Sequence, residues 1–308
     1  MKEIMKTFRN IIEGRWVKKS RGEILFEIVV YAIAALFCIY CLFPFAIILG
    51  SSFETESNFA VYGFPIIPKD FTLQAYKMVL GDSQIFKAYG VTIFTTAVGT
   101  LFSMLLTISM AYPLSLKKIK FRNAITFFVY FTMLFGGGLV PTYLLISKTL
   151  NMKNNIFVLI LPVAFSAWNM FLMRNFFAGI PHELSESAYV DGANDFQILR
   201  KIILPVSVPG IATLSLFYAL GYWNQWFNAM LYIEDTNLFP LQYLLMRMLR
   251  NVDAMREMAR TTGMSVGDLP TNSLRMATTV VAIGPIVLLY PYVQKYFTSG
   301  LTVGAIKG

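Results

Sequence analysis

The sequence predicts an all-α polytopic membrane protein with six transmembrane helices. Of its 308 residues, 56% are hydrophobic and only 14% are charged, and the mean hydropathy is +0.59. A soluble domain usually has about a quarter of its residues charged, so this chain is too apolar for an ordinary soluble fold. The apolar residues also fall into runs of about 20, the length that a helix needs to cross a bilayer.

Polar segments separate six apolar runs of this kind. The six predicted spans lie near residues 28–50, 88–114, 124–146, 155–176, 208–232 and 275–297. Together they predict a single transmembrane domain over 28–297, followed by a short tail at 298–308.

The positions of the basic residues predict how the spans are oriented. Basic residues are more frequent in cytoplasmic loops than in external ones. Most of the 26 Lys and Arg residues fall on one side of the predicted spans, in 1–27, 115–123, 174–207 and 295–308. Both termini are therefore predicted to be cytoplasmic, and the long segment 233–274 to be extracytoplasmic. Membrane topology thus accounts for the net charge of +9, and nucleic-acid binding is not needed to explain it.

Residues 1–27 are basic, and their apolar residues follow a helical spacing, as in Ile4, Phe8 and Ile11. One interpretation is a cytoplasmic amphipathic helix that lies on the membrane surface before the first span. The other is a disordered tail, and the sequence does not favour either.

The polar segment 181–205, PHELSESAYVDGANDFQILRKIILP, predicts two short helices joined at a glycine. Glu183 and Glu186 lie near the positive end of the first helix, where acidic residues are stabilising. Gly192 suits the turn that ends this helix, and Pro205 is expected to stop the second. No catalytic set of residues is present, so the segment predicts a docking element.

This segment resembles the EAA loop of binding-protein-dependent ABC importer permeases. The resemblance lies in Glu186-Ser187-Ala188, Asp191-Gly192-Ala193 and Ile203-Leu204-Pro205, although the family usually has Ala where Ser187 stands. It implies the type I ABC importer permease fold, with the loop as a coupling helix that seats in a cleft of a cytoplasmic ATPase. The residues to which it assigns ATPase coupling are Glu183, Glu186, Ser187, Ala188, Asp191, Gly192, Ala193, Leu204 and Pro205.

Other stretches resemble the carbohydrate branch of the same family, both its maltose-type and its complex-polysaccharide-type permeases. They include GGGLVPTYL at 136–144 and the ending GAIKG at 304–308. The resemblance implies a bacterial cytoplasmic membrane protein with four partners. These are a second homologous permease, a cytoplasmic ABC ATPase dimer, an extracytoplasmic sugar-binding protein and an oligosaccharide substrate. ATP and Mg would bind to the ATPase, and this chain has no GxxxxGK[ST] phosphate loop of its own.

Polar and aromatic residues cluster within two turns of span five. Asn224 and Asn228 share a helix face, and two tryptophans flank the cluster. Sugars need hydrogen bonds and a flat ring to stack on, which amides and indoles supply. The alternative is that the amides bond between helices while the tryptophans belong to the outer aromatic belt.

Three glycines at 136–138 interrupt span three. They permit either close helix packing or an unwound backbone whose carbonyls face a solute. The residues tentatively assigned to a substrate path are Gly137, Trp223, Asn224, Gln225, Trp226 and Asn228.

Three functions are compatible with six spans. A membrane-embedded enzyme that processes glycans or lipids needs acids or histidines in its spans, and the apolar runs contain essentially none. A scaffold or an uncoupled channel leaves the 181–205 segment unexplained. The resemblance therefore implies a non-enzymatic permease subunit that imports oligosaccharides or glycan fragments by ATP-coupled alternating access. Import of another polar solute is the main alternative.

No metal site is predicted, and no cofactor is expected on this chain. Cys38 and Cys41 form a CxxC pair inside the first apolar run, with no His or further Cys nearby. They are expected to be packing residues.

Overall fold

The structure, a computed structural model, describes residues 20–262, 271–285 and 287, and helices dominate this part of the chain. In chain order, the α-helices are α1 (Arg21–Ser51), α2 (Glu56–Tyr62), α3 (Gln74–Gly81), α4 (Ser83–Ser115), α5 (Arg122–Leu134), α6 (Leu139–Leu144), α7 (Ala167–Ala178), α8 (His182–Val190), α9 (Asp195–Ile198), α10 (Leu204–Val206), α11 (Val208–Trp223), α12 (Phe227–Tyr232), α13 (Leu241–Thr262) and α14 (271–285). Short 3₁₀ turns lie at Ile156–Leu159, Leu161–Val163 and Thr236–Leu238, and π turns at Leu145–Thr149 and Leu199–Ile203.

Two helices, α1 and α4, are long and apolar enough to cross a membrane without interruption. Three further candidate spans are pairs of helices with a bend between them. The bends are 106° between α5 and 139–149, 54° between 156–163 and α7, and 81° between 195–206 and α11. The described residues therefore hold two to five candidate spans. The predicted sixth span, 275–297, lies partly outside them, and residues 271–285 are helical.

The first helix begins at Arg21, seven residues before the predicted start of the first span near residue 28. Ser20 and Glu23 form a capping box: the Ser20 side chain accepts from the Glu23 N–H at 3.2 Å, and Glu23 accepts from the Ser20 N–H at 2.8 Å. This cap extends the helix by two turns into the polar segment. Residues 1–19 lie outside the described part, so the two interpretations of the N-terminus remain open.

Most side chains of α1 are exposed. Cys38 and Cys41 are free thiols on this exposed surface, so the expectation that they are packed is wrong for the chain by itself. The sequence could not reveal this, because an apolar run of this kind is typical of a buried helix and of a lipid-facing one alike.

The glycines of span three leave the helix unwound. Residues 135–138 are non-helical, and Gly138 has φ +84°, a conformation that few other residues adopt. A Cβ added to Gly136 or Gly137 would meet no heavy atom within 4 Å. The backbone is therefore unwound here, and within the described residues no other helix packs closely against Gly136 or Gly137.

The core is built around α4, which makes its most extensive contacts with α11 and α7. Gly99 permits the closest approach, since a Cβ there would lie 2.5 Å from Cζ of Tyr222. The Tyr222 hydroxyl is hydrogen-bonded to Ser103 Oγ at 2.9 Å and donates to the Ile160 carbonyl at 3.2 Å. These contacts fix α4 and α11 against each other and against the turns of span four.

The segment 233–274 contains a long amphipathic helix, α13. Leu241, Leu244 and Leu245 of α13 are buried, and Arg247 stacks on the ring of Phe239 with its guanidinium carbon 4.9 Å from the centroid. Packing of the apolar side of α13 against the neighbouring helices stabilises this segment. Residues 263–270 and the predicted tail at 298–308 lie outside the described residues.

Candidate functional site: a helical loop and a polar cavity

The segment 181–205 folds as two helical pieces joined at Gly192. This glycine has φ +81°, and its N–H donates to the Tyr189 carbonyl at 3.0 Å. The next N–H, of Ala193, donates to the Ala188 carbonyl at 2.9 Å. These bonds satisfy carbonyls at the end of α8, and the left-handed turn explains why a glycine stands here.

The second piece does not stop at Pro205 as predicted. Asn194 and Gln197 form a capping box that starts α9, and the chain stays helical to Val206 before the bend at Ser207. A proline inside an α-helix lacks an N–H and clashes with the preceding turn. Here the turn before Pro205 is a π turn, in which the Leu204 N–H reaches the Leu199 carbonyl, and this wider turn accommodates the ring.

The 181–205 segment has one side that is buried against the rest of the protein and one side that is exposed. Ala188, Ile198 and Ile203 are buried in the same apolar cluster as residues of α4, α7 and α11. Val190 and Phe196, in contrast, are 89% and 69% exposed, although both lie outside the predicted spans. Of the residues assigned to ATPase coupling, Ala188 is buried, Ala193 and Leu204 are half-buried, and the exposed ones are Glu183, Glu186, Ser187, Asp191, Gly192 and Pro205.

A polar contact that the sequence did not reveal ties this segment to the turn between α4 and α5. Lys118 Nζ lies 2.6 Å from Asp195 Oδ1 and 2.7 Å from the Tyr189 hydroxyl, which also bonds to Asp195. The hydrogen bond from Lys118 holds the pKa of Asp195 below its usual value, and the bond to Asp195 raises the pKa of Lys118. The pair is therefore charged at neutral pH, and Tyr189 and Asp195 connect both helical pieces to one lysine.

A polar cavity of about 340 Å³ lies between two broken spans. One wall is the break before α7, at residues 164–166, and the other is the break between α11 and α12, at residues 224–226. Four residues of the tentative substrate path line it: Asn224, Gln225, Trp226 and Asn228. Polar residues that the sequence analysis did not select also line it, among them Ser166, Asn169 and Tyr218.

Two residues of the tentative path lie elsewhere. Trp223 is buried and donates from Nε1 to the Ala282 carbonyl at 3.2 Å, so it packs against α14 and does not line the cavity. Gly137 lies in the exposed unwound segment of span three and is not part of the cavity wall. Helical spacing alone could not separate Trp223 from Trp226, because the helix breaks between them.

The chemistry of the cavity is hydrogen bonding and stacking. None of its lining residues is charged or is a histidine. Within residues 20–262, 271–285 and 287, no group of three or more His, Cys, Asp or Glu could hold a metal ion. The arrangement can bind an uncharged polar molecule through hydrogen bonds and ring stacking.

Broken apolar helices around a polar cavity are typical of a membrane transport permease. The family of binding-protein-dependent transport system inner membrane components matches residues 91–303, and this chain belongs to that family. It is 40% identical to the polygalacturonan/rhamnogalacturonan transport system permease YtcP of Bacillus subtilis, over 92% of this chain and 99% of that one. It is 29% identical to the trehalose/maltose permease MalG of Thermococcus litoralis, over 94% and 99%.

A solved structure has the same fold. It is a crystal structure of a bacterial ABC transporter involved in the import of the acidic polysaccharide alginate, and one of its chains aligns with a TM-score of 0.77 at 31% identity. The alignment covers 92% of this chain and all of the other. The fold is therefore that of an ABC importer permease, and the chain is a transport subunit of the cell membrane.

Proposed function

We propose that this chain is one of two permease subunits in an ABC importer that takes up oligosaccharides or glycan fragments. The names of its relatives, which include polygalacturonan and maltose permeases, support a saccharide substrate. The uncharged amides and the tryptophan of the cavity fit such a molecule. Both termini would be cytoplasmic, and the substrate would arrive on an extracytoplasmic sugar-binding protein.

The observation that carries this proposal is the exposed side of the 181–205 segment. Val190 and Phe196 expose apolar surface in the same segment as the exposed residues Glu183 and Glu186, and all four lie outside the spans that the sequence predicts. Apolar side chains this exposed indicate an interaction surface. The partner would be a cytoplasmic ATPase dimer that holds ATP and Mg, and its closure would draw the two permeases from an inward-facing to an outward-facing state.

The test is ATP-driven uptake by the reconstituted complex together with retention of the ATPase during purification. We expect Gly192→Asp to abolish both, because a side chain at φ +81° strains the turn. Val190→Asp and Glu186→Lys should act similarly by altering the docking surface.

A matched control is Gly81→Asp, because Gly81 ends α3 and a Cβ there meets no atom within 4 Å. It should leave ATPase retention unchanged. If Gly192→Asp, Val190→Asp and Glu186→Lys all retain the ATPase and normal uptake, the segment is not the coupling element. If the wild-type complex imports another polar solute and no saccharide, the proposed substrate class is wrong.

A further inference from the structure

We propose that Asn169, together with Gln225 and Asn228, forms a subsite that binds the uncharged hydroxyl groups of a saccharide. The subsite lies in the cavity between α7 and the break after α11. This inference rests on the transport function proposed above. It adds a residue from span four to the site and predicts which part of the sugar this chain contacts.

Asn169 combines burial with an unused hydrogen-bonding group. It is 7% exposed, and it lies three residues after the span-four break, where its N–H donates to Ser166 Oγ at 3.3 Å. Its carboxamide lines the cavity but makes no hydrogen bond to any residue in the described ranges. The amide atoms are accessible from the cavity, so a polar group that enters it can both donate to this carboxamide and accept from it.

Other polar groups of the cavity are already occupied. The Tyr218 hydroxyl accepts from the Ser166 N–H at 3.2 Å and is bonded to Thr107 Oγ1 at 2.8 Å. Asn224 Nδ2 donates to the Leu220 carbonyl at 2.9 Å. These hydrogen bonds stabilise the helix breaks before α7 and after α11, so the same groups can form fewer hydrogen bonds with a ligand.

Gln225 and Asn228 are different, since both are half-buried and line the same cavity. Within the part of the chain that the structure describes, neither carboxamide makes a hydrogen bond. Together with Asn169, they supply three carboxamides that are available to one ligand.

The chemistry of these groups matches a hydroxyl better than a carboxylate. A carboxamide both donates and accepts hydrogen bonds, and so does a sugar hydroxyl. No Lys, Arg or His lines the cavity, so a uronic-acid carboxylate would lose its hydration without gaining a cation. The exposed ring of Trp226 adds a surface on which a sugar face can stack.

The test measures binding to the purified complex of both permeases and the ATPase, without the binding protein. Equilibrium dialysis is performed with labelled trigalacturonate and with its carboxyl-reduced counterpart, which differ only at C6, where a carboxylate is replaced by a neutral hydroxymethyl group. The wild-type complex should bind the neutral trisaccharide more tightly. Asn169→Leu should weaken that binding about tenfold, which corresponds to about 1.4 kcal/mol.

Asn169→Asp, which preserves the shape of the side chain, tests charge. It should weaken binding of trigalacturonate more than binding of the neutral sugar, because it adds a carboxylate to the site. If Asn169→Leu fails to assemble, as judged by gel filtration, the isosteric Asn169→Asp variant carries the test. The matched control is Asn175→Leu: Asn175 is also on α7 but is exposed and outside the cavity. It should leave both affinities unchanged.

ATP-driven uptake with the binding protein separates the two proposals. If the wild-type complex imports a saccharide but the Asn169 variants bind both probes normally, the subsite is overturned and the transport function stands. Preference of the wild-type complex for trigalacturonate, or binding of neither probe, also overturns the subsite. If the wild-type complex imports no saccharide, the proposed function fails, and the subsite fails with it.

Discussion

At the scale of single residues, Glu54 shows how one carboxylate organises a loop. It is fully buried, and its oxygens accept from Asn58 Nδ2 at 2.7 Å, from the Lys69 N–H at 2.7 Å and from the Asp70 N–H at 3.2 Å. Burial by itself raises the pKa of Glu54, but these hydrogen bonds outweigh it and hold the pKa below its usual value of 4.5. The ionised side chain therefore stabilises the segment between α1 and α3.

This arrangement predicts a pH dependence for the loop. Because the pKa of Glu54 is lowered in the folded state, its stabilising contribution is complete above about pH 4.5 and is lost as the pH falls through the lower, folded-state value. Glu54→Gln should expose the Lys69 and Asp70 amides to faster hydrogen exchange at pH 7, by a factor corresponding to about 1.5 to 3 kcal/mol.

Hydrogen exchange of peptides covering 55–72, corrected for the intrinsic rate at each pH, measures this effect. The control is Glu234→Gln, because Glu234 is an exposed residue whose ion pair with Lys153 is long, at 3.6 Å. Equal protection of the Lys69 and Asp70 amides in the wild type and in Glu54→Gln would rule out the proposed role of Glu54.

At the scale of elements, the contact of Lys118 with Tyr189 and Asp195 connects α8 and α9 to the turn after α4. The side chains of Lys118 and Asp195 are about half exposed, so the pair adds little to overall stability, about 1 kcal/mol or less. Its position indicates a role in transmitting movement. If the 181–205 segment moves, Lys118 is displaced with it, and so is the end of α4, the central helix of the core.

We therefore expect Lys118→Met and Asp195→Asn each to lower sugar uptake per ATP hydrolysed about twofold to fivefold, while the melting temperature barely changes. The double variant should be no worse than either single variant, since all three remove the same contact. Lys117→Met is the control, because Lys117 is an exposed neighbour in the same turn. Additive losses in a double-mutant cycle of uptake would show that the two residues act independently.

At the scale of the whole molecule, Glu56 joins parts of the chain that are more than 200 residues apart. From α2, its Oε2 accepts from the Asn272 N–H at 2.9 Å, and its Oε1 accepts from the Thr271 hydroxyl at 2.7 Å. It also accepts from the Ser273 N–H at 3.3 Å. A carboxylate in this position caps the N-terminus of α14 and interacts favourably with its dipole.

Removal of this cap should loosen α14 without unfolding the rest of the protein. We expect Glu56→Ala to cost about 0.5 to 2 kcal/mol, the usual effect of losing an N-cap, and to increase hydrogen exchange in 271–285. Asp82→Ala is a reciprocal control: Asp82 caps α4 by accepting from the Gln84 N–H at 2.8 Å, so exchange should rise there and not in α14. Unchanged exchange of 271–285 in Glu56→Ala would exclude Glu56 as the cap.

The sequence by itself determined the features that depend on local pattern. The all-α class follows from apolar runs that are long enough to span a membrane. The two-helix form of 181–205 follows from Gly192, because glycine readily adopts the left-handed conformation of the turn between the two helices. The capping box of Ser20 and Glu23 was also readable, and recognising it would have placed the start of α1 correctly.

Only the tertiary structure decided which side chains face each other, since such contacts join residues far apart in the chain. It placed Asn169 beside the amides of span five, buried Trp223 against α14 and brought Glu56 to the cap of the same helix. The bends of spans three, four and five also depend on what the flanking helices pack against. The spacing of apolar residues in the sequence predicts which side chains share one face of a helix. Only the tertiary structure shows which other elements pack against that face.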